Sequence, residues 1–220
     1  MLKLVIGNKR YSSWSMRPWL VLKAFEIPFN ETLVPLRQAG TRAQILKFSP
    51  AGKVPVLIDG DTSVWESLAI IEYLADTFPA RAIWPKDVAA RAHARAISSE
   101  MHAGFLPVRQ TFPMNIGKRY AVPGLSDELR SNIDRIEQSW REARAKCSGT
   151  GPFLYGAFSA ADAMYAPVVT RFETYQIPVA GDTRRYMDAV VGHPAVRAWS
   201  EEAKSETWTI ADFEVGPAAT

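Results

Sequence analysis

Short apolar runs and longer periodic stretches alternate over the first third of the chain. Residues 2–7 and 29–34 are typical of short strands, and residues 17–26 between them form an apolar stretch with few helix breakers. A strand, a helix and a second strand in this order indicate two parallel strands joined by a helical crossover. The pattern therefore predicts an α/β unit at the start of the chain.

The α/β pattern continues to about residue 78. Residues 41–48 predict a second helix that ends before Pro50, and residues 54–59 and 63–65 predict a hairpin. A third helix follows, because apolar positions then recur at spacings of three, three and four residues: Leu68, Ile71, Leu74 and Phe78.

After residue 79 the alternating strand pattern is almost lost. Pro85 marks a linker, and residues 127–146 carry an apolar stripe of helical spacing that begins after the capping residue Ser126. The sequence therefore predicts two domains, an α/β domain over residues 1–78 and an all-helical domain over residues 88–220.

Composition narrows the class of protein. The 220 residues have 47% hydrophobic and 22% charged side chains, as in a globular protein. The formal charge is only +3 without a basic run, which argues against a nucleic-acid partner. No signal peptide or membrane-spanning run is expected. The single cysteine, Cys147, allows neither an intrachain disulfide nor a Cys-x-x-Cys pair, so a cytoplasmic location is expected.

Three motifs in the first domain carry chemistry. The first is a hydroxyl cluster where the first strand gives way to the first helix: Tyr11, Ser12, Ser13 and Ser15. Backbone N–H groups and the positive end of a helix dipole meet in such a turn, which favours an anion. A hydroxyl that donates to a sulfur anion contributes about 1.5–3 kcal/mol, or about one to two units of thiol pKa. Taken alone, the cluster is more typical of a polar turn and helix cap, and the Tyr11 phenol is a second candidate donor to the same anion.

The other two motifs are Val54-Pro55 and Glu66-Ser67. An edge-strand proline and an ordinary helix N-terminus are the simplest interpretations of each by itself. The order of all three motifs before an apolar helix, however, resembles the first domain of cytosolic glutathione transferases. The sequence Ser12-Ser13-Trp14-Ser15-Met16-Arg17 is most similar to their serine-type, zeta-like bacterial branch.

The resemblance implies a thioredoxin-like N-terminal domain and an all-α C-terminal domain, with glutathione as co-substrate and no metal. It places the catalytic serine on Ser12, with Ser13 close behind. It implies a cis Val54-Pro55 bond whose Val54 backbone pairs with glutathione. The remaining residues expected to bind glutathione are Ser15, Lys53, Pro55, Glu66 and Ser67.

In the second domain, residues 153–162 resemble a capping segment in which Ser159 starts a helix and Asp162 returns to its backbone N–H. One long helix is expected to carry the acceptor-pocket residues at helical spacings. Those residues, with Tyr11 from the first domain, are Met101, His102, Phe105, Arg109 and Phe112. An interhelical His102 and purely structural aromatic residues remain the alternatives.

The resemblance favours a detoxifying glutathione transferase that joins the glutathione thiolate to small electrophiles, working as a cytoplasmic homodimer without a membrane or nucleic-acid partner. Two alternatives stay open: a maleylacetoacetate-type cis-trans isomerase and a catalytically weak glutathione-binding stress protein. The isomerase typically has a cysteine after its paired serines, where this chain has Trp14. Cys147 does not replace it, because Cys147 lies in the second domain.

Overall fold

The computed structural model describes residues 1–121, 124–147 and 150–215. Its first part contains one four-stranded mixed sheet with the order β2-β1-β3-β4. β1 pairs parallel to β2 and antiparallel to β3, and β3 pairs antiparallel to β4. The strands are β1 (Leu2–Ile6), β2 (Phe29–Leu33), β3 (Val56–Asp59) and β4 (Thr62–Trp65). The predicted α/β unit and hairpin are confirmed.

Three helices accompany the sheet: α1 (Ser13–Ala24), α2 (Thr41–Leu46) and α3 (Ser67–Thr77). The expected start of α1 near Arg17 is wrong, because the helix begins four residues earlier. Ser12 caps it by accepting the backbone N–H of Ser15 at 3.4 Å, so the hydroxyl cluster becomes the first turn of the helix instead of a loop before it.

The second part is helical, as predicted. Its helices are α4 (Val88–Ala103), α5 (Leu106–Thr111), α6 (Asp127–Lys146), α7 (Ala160–Thr174), α8 (Gly181–Gly192) and α9 (Pro194–Ser205). Short 3-10 turns occupy Pro79–Arg81 and Ala211–Phe213. The Ser159 and Asp162 capping box at the start of α7 is present in full. No helix in the described part of the chain has the length and apolar character needed to cross a membrane.

The expectation of one long helix through the acceptor-pocket residues is wrong. The chain breaks between α4 and α5, where Phe105 adopts a left-handed φ of 54° and Pro107 has no N–H for a continuous helical ladder. A Cβ on Gly104 would approach the Glu100 carbonyl oxygen to 2.8 Å, which explains the glycine at the break. His102 and Arg109 therefore lie on two different helices.

The two parts share one hydrophobic core. α1 packs against α7 and α9, and Trp19 on α1 meets Trp199 on α9 with their ring centroids 5.2 Å apart. Nearly every side chain of α7 is buried, including the polar Asp162 and Arg171. Since α1 begins at the serine turn, this packing places the turn at the boundary between sheet and helices.

Candidate active site

The serine turn joins β1 to α1. The backbone N–H groups of Tyr11 and Ser12 both donate to the Asn8 carbonyl oxygen, at 3.2 and 2.8 Å, which closes a tight turn. Ser12 and Ser13 are only 5% and 7% exposed. With no acidic residue in the first turn of α1, the positive end of its dipole has no counter-charge from its own helix. The turn is therefore suited to an anion.

Ser12 is supported from behind by Ser15. Their Oγ atoms lie 2.8 Å apart, and the Ser15 hydroxyl also accepts the backbone N–H of Gly7 at 3.1 Å. Because hydroxyl hydrogens rotate, Ser15 can donate to Ser12 and leave the Ser12 O–H free to donate outward. Ser15 itself is fully buried, so its hydroxyl orients Ser12 and lies behind it.

Ser13 has a different partner. Its hydroxyl oxygen accepts a hydrogen bond from Arg171 Nη2 at 3.2 Å, across the boundary between the two domains. Arg171 also donates to the backbone carbonyl oxygens of Phe112 and Pro167. With its oxygen held by a cation, the Ser13 hydroxyl keeps its proton for another acceptor.

A cleft opens beside the serine turn. It is lined by Trp14, Lys53, Val54, Pro55, Trp65 and Glu66. The Val54-Pro55 bond is cis, as the resemblance implied. Among the described residues, Val54 makes no hydrogen bond to another backbone group, so its N–H and C=O remain available to an extended ligand.

Glu66 and Ser67 stand at the start of α3, on the same cleft. Glu66 has φ 69° and ψ 128°, an uncommon conformation for a residue other than glycine. The Ser67 hydroxyl is buried and has no hydrogen-bond partner within the described residues. The free N–H groups of the helix start, an unused hydroxyl and a half-exposed carboxylate thus lie together, which suits a group with one negative and one positive end.

On the other side of Trp14 lies a group of cations. The guanidinium carbons of Arg17 and Arg109 lie 4.3 and 5.4 Å from the centre of the Trp14 ring, and the His102 ring meets it edge-on at 5.1 Å. His102 Nε2 lies 3.7 Å from a Glu66 carboxylate oxygen. Trp14 therefore separates the cleft from a basic region, and His102 links the two.

This basic region lacks a matching negative charge. In residues 1–121, 124–147 and 150–215, no carboxylate forms an ion pair with Arg17, Arg109 or Arg171. Arg17 Nε and Nη1 and Arg109 Nε are buried without a hydrogen-bond partner. Burial and the neighbouring Arg171 and Arg109 lower the pKa of Arg17 to about 9, and burial followed by Arg109 lowers that of Arg171 to about 10. All three remain cationic at neutral pH.

The same surroundings affect His102. Burial, then the charge of Arg17, lowers the pKa of its imidazole, although Glu66 opposes the shift. The shift favours the neutral imidazole. Its Nδ1 atom is buried and has no hydrogen-bond partner in the part of the chain that the structure describes.

The remaining residues predicted for the acceptor pocket lie elsewhere. Met101, Phe105 and Phe112 are buried in the core and do not line the cleft. The Tyr11 hydroxyl donates to Glu214 at 2.8 Å, and burial followed by that hydrogen bond raises the pKa of the phenol. Tyr11 thus faces the C-terminal segment.

Sequence reasoning missed three residues of this region: Arg171, Trp65 and Glu214. Arg171 is the one basic residue in the largely apolar helix α7, and such a residue is a signal for a buried polar role. Trp65 is 42% exposed at the cleft, and no pattern in the sequence separates it from a core tryptophan. Within the described residues, no group of three or more His, Cys, Asp or Glu is arranged to hold a metal ion.

Comparison with known proteins gives consistent matches. A family model described as the glutathione S-transferase N-terminal domain matches residues 11–77, and one for the C-terminal domain matches residues 119–202. A probable maleylacetoacetate isomerase of Caenorhabditis elegans is 38% identical over 52% of this chain and 58% of its own length. Glutathione S-transferase T1 of Arabidopsis thaliana is 26% identical over 94% of this chain and 85% of its own.

Solved structures share the fold. A glutathione transferase homolog from Burkholderia, determined with bound glutathione, aligns with a TM-score of 0.69 at 21% identity. The alignment covers 93% of this chain and 98% of that one. Both predicted layers of the architecture, the small mixed sheet domain and the helical domain, are confirmed.

Proposed function

From the premise that this chain belongs to the glutathione S-transferase family, we propose that it binds glutathione in the cleft and uses its thiolate on a small electrophile that carries a carboxylate. The observation that supports this most is that one residue or more from each of three separate motifs lines one cleft: Trp14 of the serine turn, Val54-Pro55, and Glu66, which directly precedes Ser67 at the start of α3. Each motif offers the group that a different part of glutathione requires.

Each end of glutathione has a partner group at the cleft. The γ-glutamyl carboxylate accepts from Ser67 and the N–H groups at the start of α3, while the Glu66 carboxylate receives the ammonium group. The cysteinyl backbone pairs with Val54. Lys53, which is exposed at the rim, meets the glycyl carboxylate. This arrangement points the thiol towards the start of α1.

Ser12 holds the thiolate there, with Ser13 as the second donor. The Ser12 hydroxyl donates to the sulfur anion, while Ser15 and the Gly7 N–H keep Ser12 oriented. The α1 dipole adds to the stabilisation. The thiolate then attacks the electrophilic carbon, forming a C–S bond while the electron pair moves to a leaving group or into a conjugated carbonyl.

The basic region beyond Trp14 argues for an acidic acceptor. Three cations without carboxylate partners are expensive to bury, and an anion that approaches them gains from all three charges. Arg109 is the most exposed of the three, so we assign it the first contact with the acceptor carboxylate. A neutral aromatic electrophile would leave this charge unused.

The same cations favour a second candidate, glutathione-dependent isomerisation of a cis-enoyl diacid, which is the activity in the name of the Caenorhabditis elegans relative. In that reaction the thiolate adds to the conjugated double bond, rotation follows, and elimination returns the thiolate. Trp14 at the position of the expected cysteine weighs against it, whereas the basic region supports a diacid. A homodimer and a cytoplasmic, detoxifying role are further expectations from the family.

A matched electrophile panel tests the proposal. Each acceptor is offered as the free carboxylate and as its methyl ester, and both glutathione consumption and product are followed. We expect the acid to react with the higher kcat/KM and Arg109→Met to lose that preference, by about tenfold or more. An exposed arginine, Arg130→Met, is the control. Equal rates for acid and ester would refute the acidic acceptor, and turnover of a maleyl acid without glutathione consumption would identify the isomerase.

A further inference from the structure

The three residues before Ser12 are each held by the C-terminal end of the chain. Trp199 Nε1 donates to the Lys9 carbonyl oxygen at 3.0 Å, and the Lys9 ammonium bonds to Glu202. The Arg10 guanidinium donates to the carbonyl oxygens of residues 203, 204 and 206 at 3.4, 3.2 and 2.9 Å. Tyr11 donates to Glu214. We call residues 199–214, which supply all these contacts, the C-terminal strap.

Glu206 makes the most direct contact of the strap with the turn. One carboxylate oxygen accepts the backbone N–H of Lys9 at 2.6 Å and the other accepts that of Arg10 at 3.1 Å. Two consecutive N–H groups of the turn are therefore satisfied by one side chain from the other domain. An amide side chain in the same position would present its oxygen to one of these N–H groups and its NH2 group, a donor, to the other.

The contact continues to the serines through the backbone. Asn8 accepts the N–H groups of Tyr11 and Ser12, so Lys9 and Arg10 lie inside the same hydrogen-bonded turn. A shift of these two residues moves Ser12 with them. Both carboxylate oxygens of Glu206 are occupied by the backbone N–H groups of Lys9 and Arg10, and Glu206 is not among the residues that line the cleft.

We propose that Glu206 is a positioning residue, which sets the placement of Ser12 relative to the glutathione sulfur by holding the backbone of Lys9 and Arg10. The inference rests on the proposed function, because it assumes that the serine turn stabilises the thiolate. It extends the site to a segment about 190 residues further along the chain, and it makes thiolate formation depend on docking of the strap.

Glu206→Gln is the decisive variant, because it keeps the shape of the side chain but offers one acceptor to two donors. In the full-length protein we expect the thiol pKa of bound glutathione to rise by about half a unit or more. We expect kcat to fall about three- to tenfold, with KM for glutathione within about twofold, because the ligand contacts remain. Glu201→Gln, an exposed acid on α9 five residues before Glu206, is the control for charge and should match the wild type.

A second variant removes a strap contact that is made by a side chain of the turn. Arg10→Met removes the guanidinium bonds to residues 203–206 but keeps the Arg10 backbone N–H, and it should shift the thiol pKa in the same direction. Its control is Arg197→Met, at an exposed position of α9. Circular dichroism and melting temperature of each variant separate displacement of the turn from loss of the fold.

The outcomes are distinguishable. If Glu206→Gln and Arg10→Met melt at lower temperature but keep the wild-type thiol pKa and kcat, the strap is structural only and the inference is wrong. If Ser12→Ala shifts the thiol pKa while both strap variants do not, the proposed function stands without the strap. A wild-type protein that neither binds glutathione nor lowers its thiol pKa would overturn both.

Discussion

Replacing Ser12 by alanine should separate thiolate stabilisation from fold stability. The Ser12 hydroxyl caps α1 through a long 3.4 Å bond and bonds to the Ser15 hydroxyl at 2.8 Å, so its removal should lower the free energy of unfolding by about 1–2 kcal/mol. Its bond to the sulfur anion is charge-assisted and is worth about 1.5–3 kcal/mol, which corresponds to a rise of about one to two units in thiol pKa. The functional effect should therefore exceed the structural one.

Ser13→Ala should show the opposite balance. It leaves Arg171 Nη2 buried without its acceptor, at a cost of about 1–3 kcal/mol in unfolding free energy. Its effect on the thiol pKa should be smaller than that of Ser12→Ala. Ser15→Ala should give an intermediate thiol shift because Ser15 orients Ser12. Tyr11→Phe should give a much smaller shift than Ser12→Ala, since its hydroxyl is used by Glu214 and can act on the thiolate only through the strap.

The assay is the ultraviolet absorbance of the thiolate in bound glutathione, titrated against pH for the four variants, with urea unfolding of each variant in parallel. A shift in Tyr11→Phe alone would show a tyrosine-type enzyme and refute the serine assignment. A shift in none of the four would leave the anion to backbone N–H groups and the helix dipole.

Three further predictions concern binding, assembly and folding. Calorimetry should show clearly weaker glutathione binding for Ser67→Ala and Glu66→Ala, and unchanged affinity in both would remove the basis for that half of the site. Light scattering should give about twice the chain mass of 24.5 kDa at micromolar concentration, and a mass near 24.5 kDa would contradict the homodimer. Asp162→Asn should lower the unfolding free energy by about 2–4 kcal/mol, because the buried carboxylate accepts three hydrogen bonds, whereas exposed Asp134→Asn should match the wild type in urea.

Local patterns were sufficient for most of the fold. The stripe on residues 127–146 and its cap Ser126 predicted α6 with the bounds that the structure shows, because periodicity and capping are both properties of neighbouring residues. The start of α1 was predicted too late, since serines are poor helix formers unless one of them caps the helix. The break at Gly104 and Phe105 was missed because the apolar spacing continues across it.

The candidate site was predictable only in part, for a related reason. Lys53, Val54, Pro55 and Glu66 line one cleft, and their family motifs lie within a short stretch of sequence. The basic region depends instead on Arg171, which meets Ser13 from 158 positions away. A contact between two positions so far apart in the sequence leaves no periodic pattern of residues by which it could be predicted.

The two parts of the site, one for glutathione and one for the acceptor, therefore come largely from different regions of the chain. The residues proposed to bind glutathione all lie within the first 67 positions and depend on local turns and the sheet. Of the three cations proposed to attract the acceptor, Arg17 lies on α1, whereas Arg109 and Arg171 come from the helical domain. The relation of Arg171 to the serines is set by the packing of α1 against α7. A substitution on the inner face of α7 can therefore change which electrophile is accepted while the glutathione contacts stay in place. The site also depends on the strap. Under the further inference, docking of the strap on residues 9–11 sets the position of the thiolate between the glutathione-binding residues and the acceptor-binding residues.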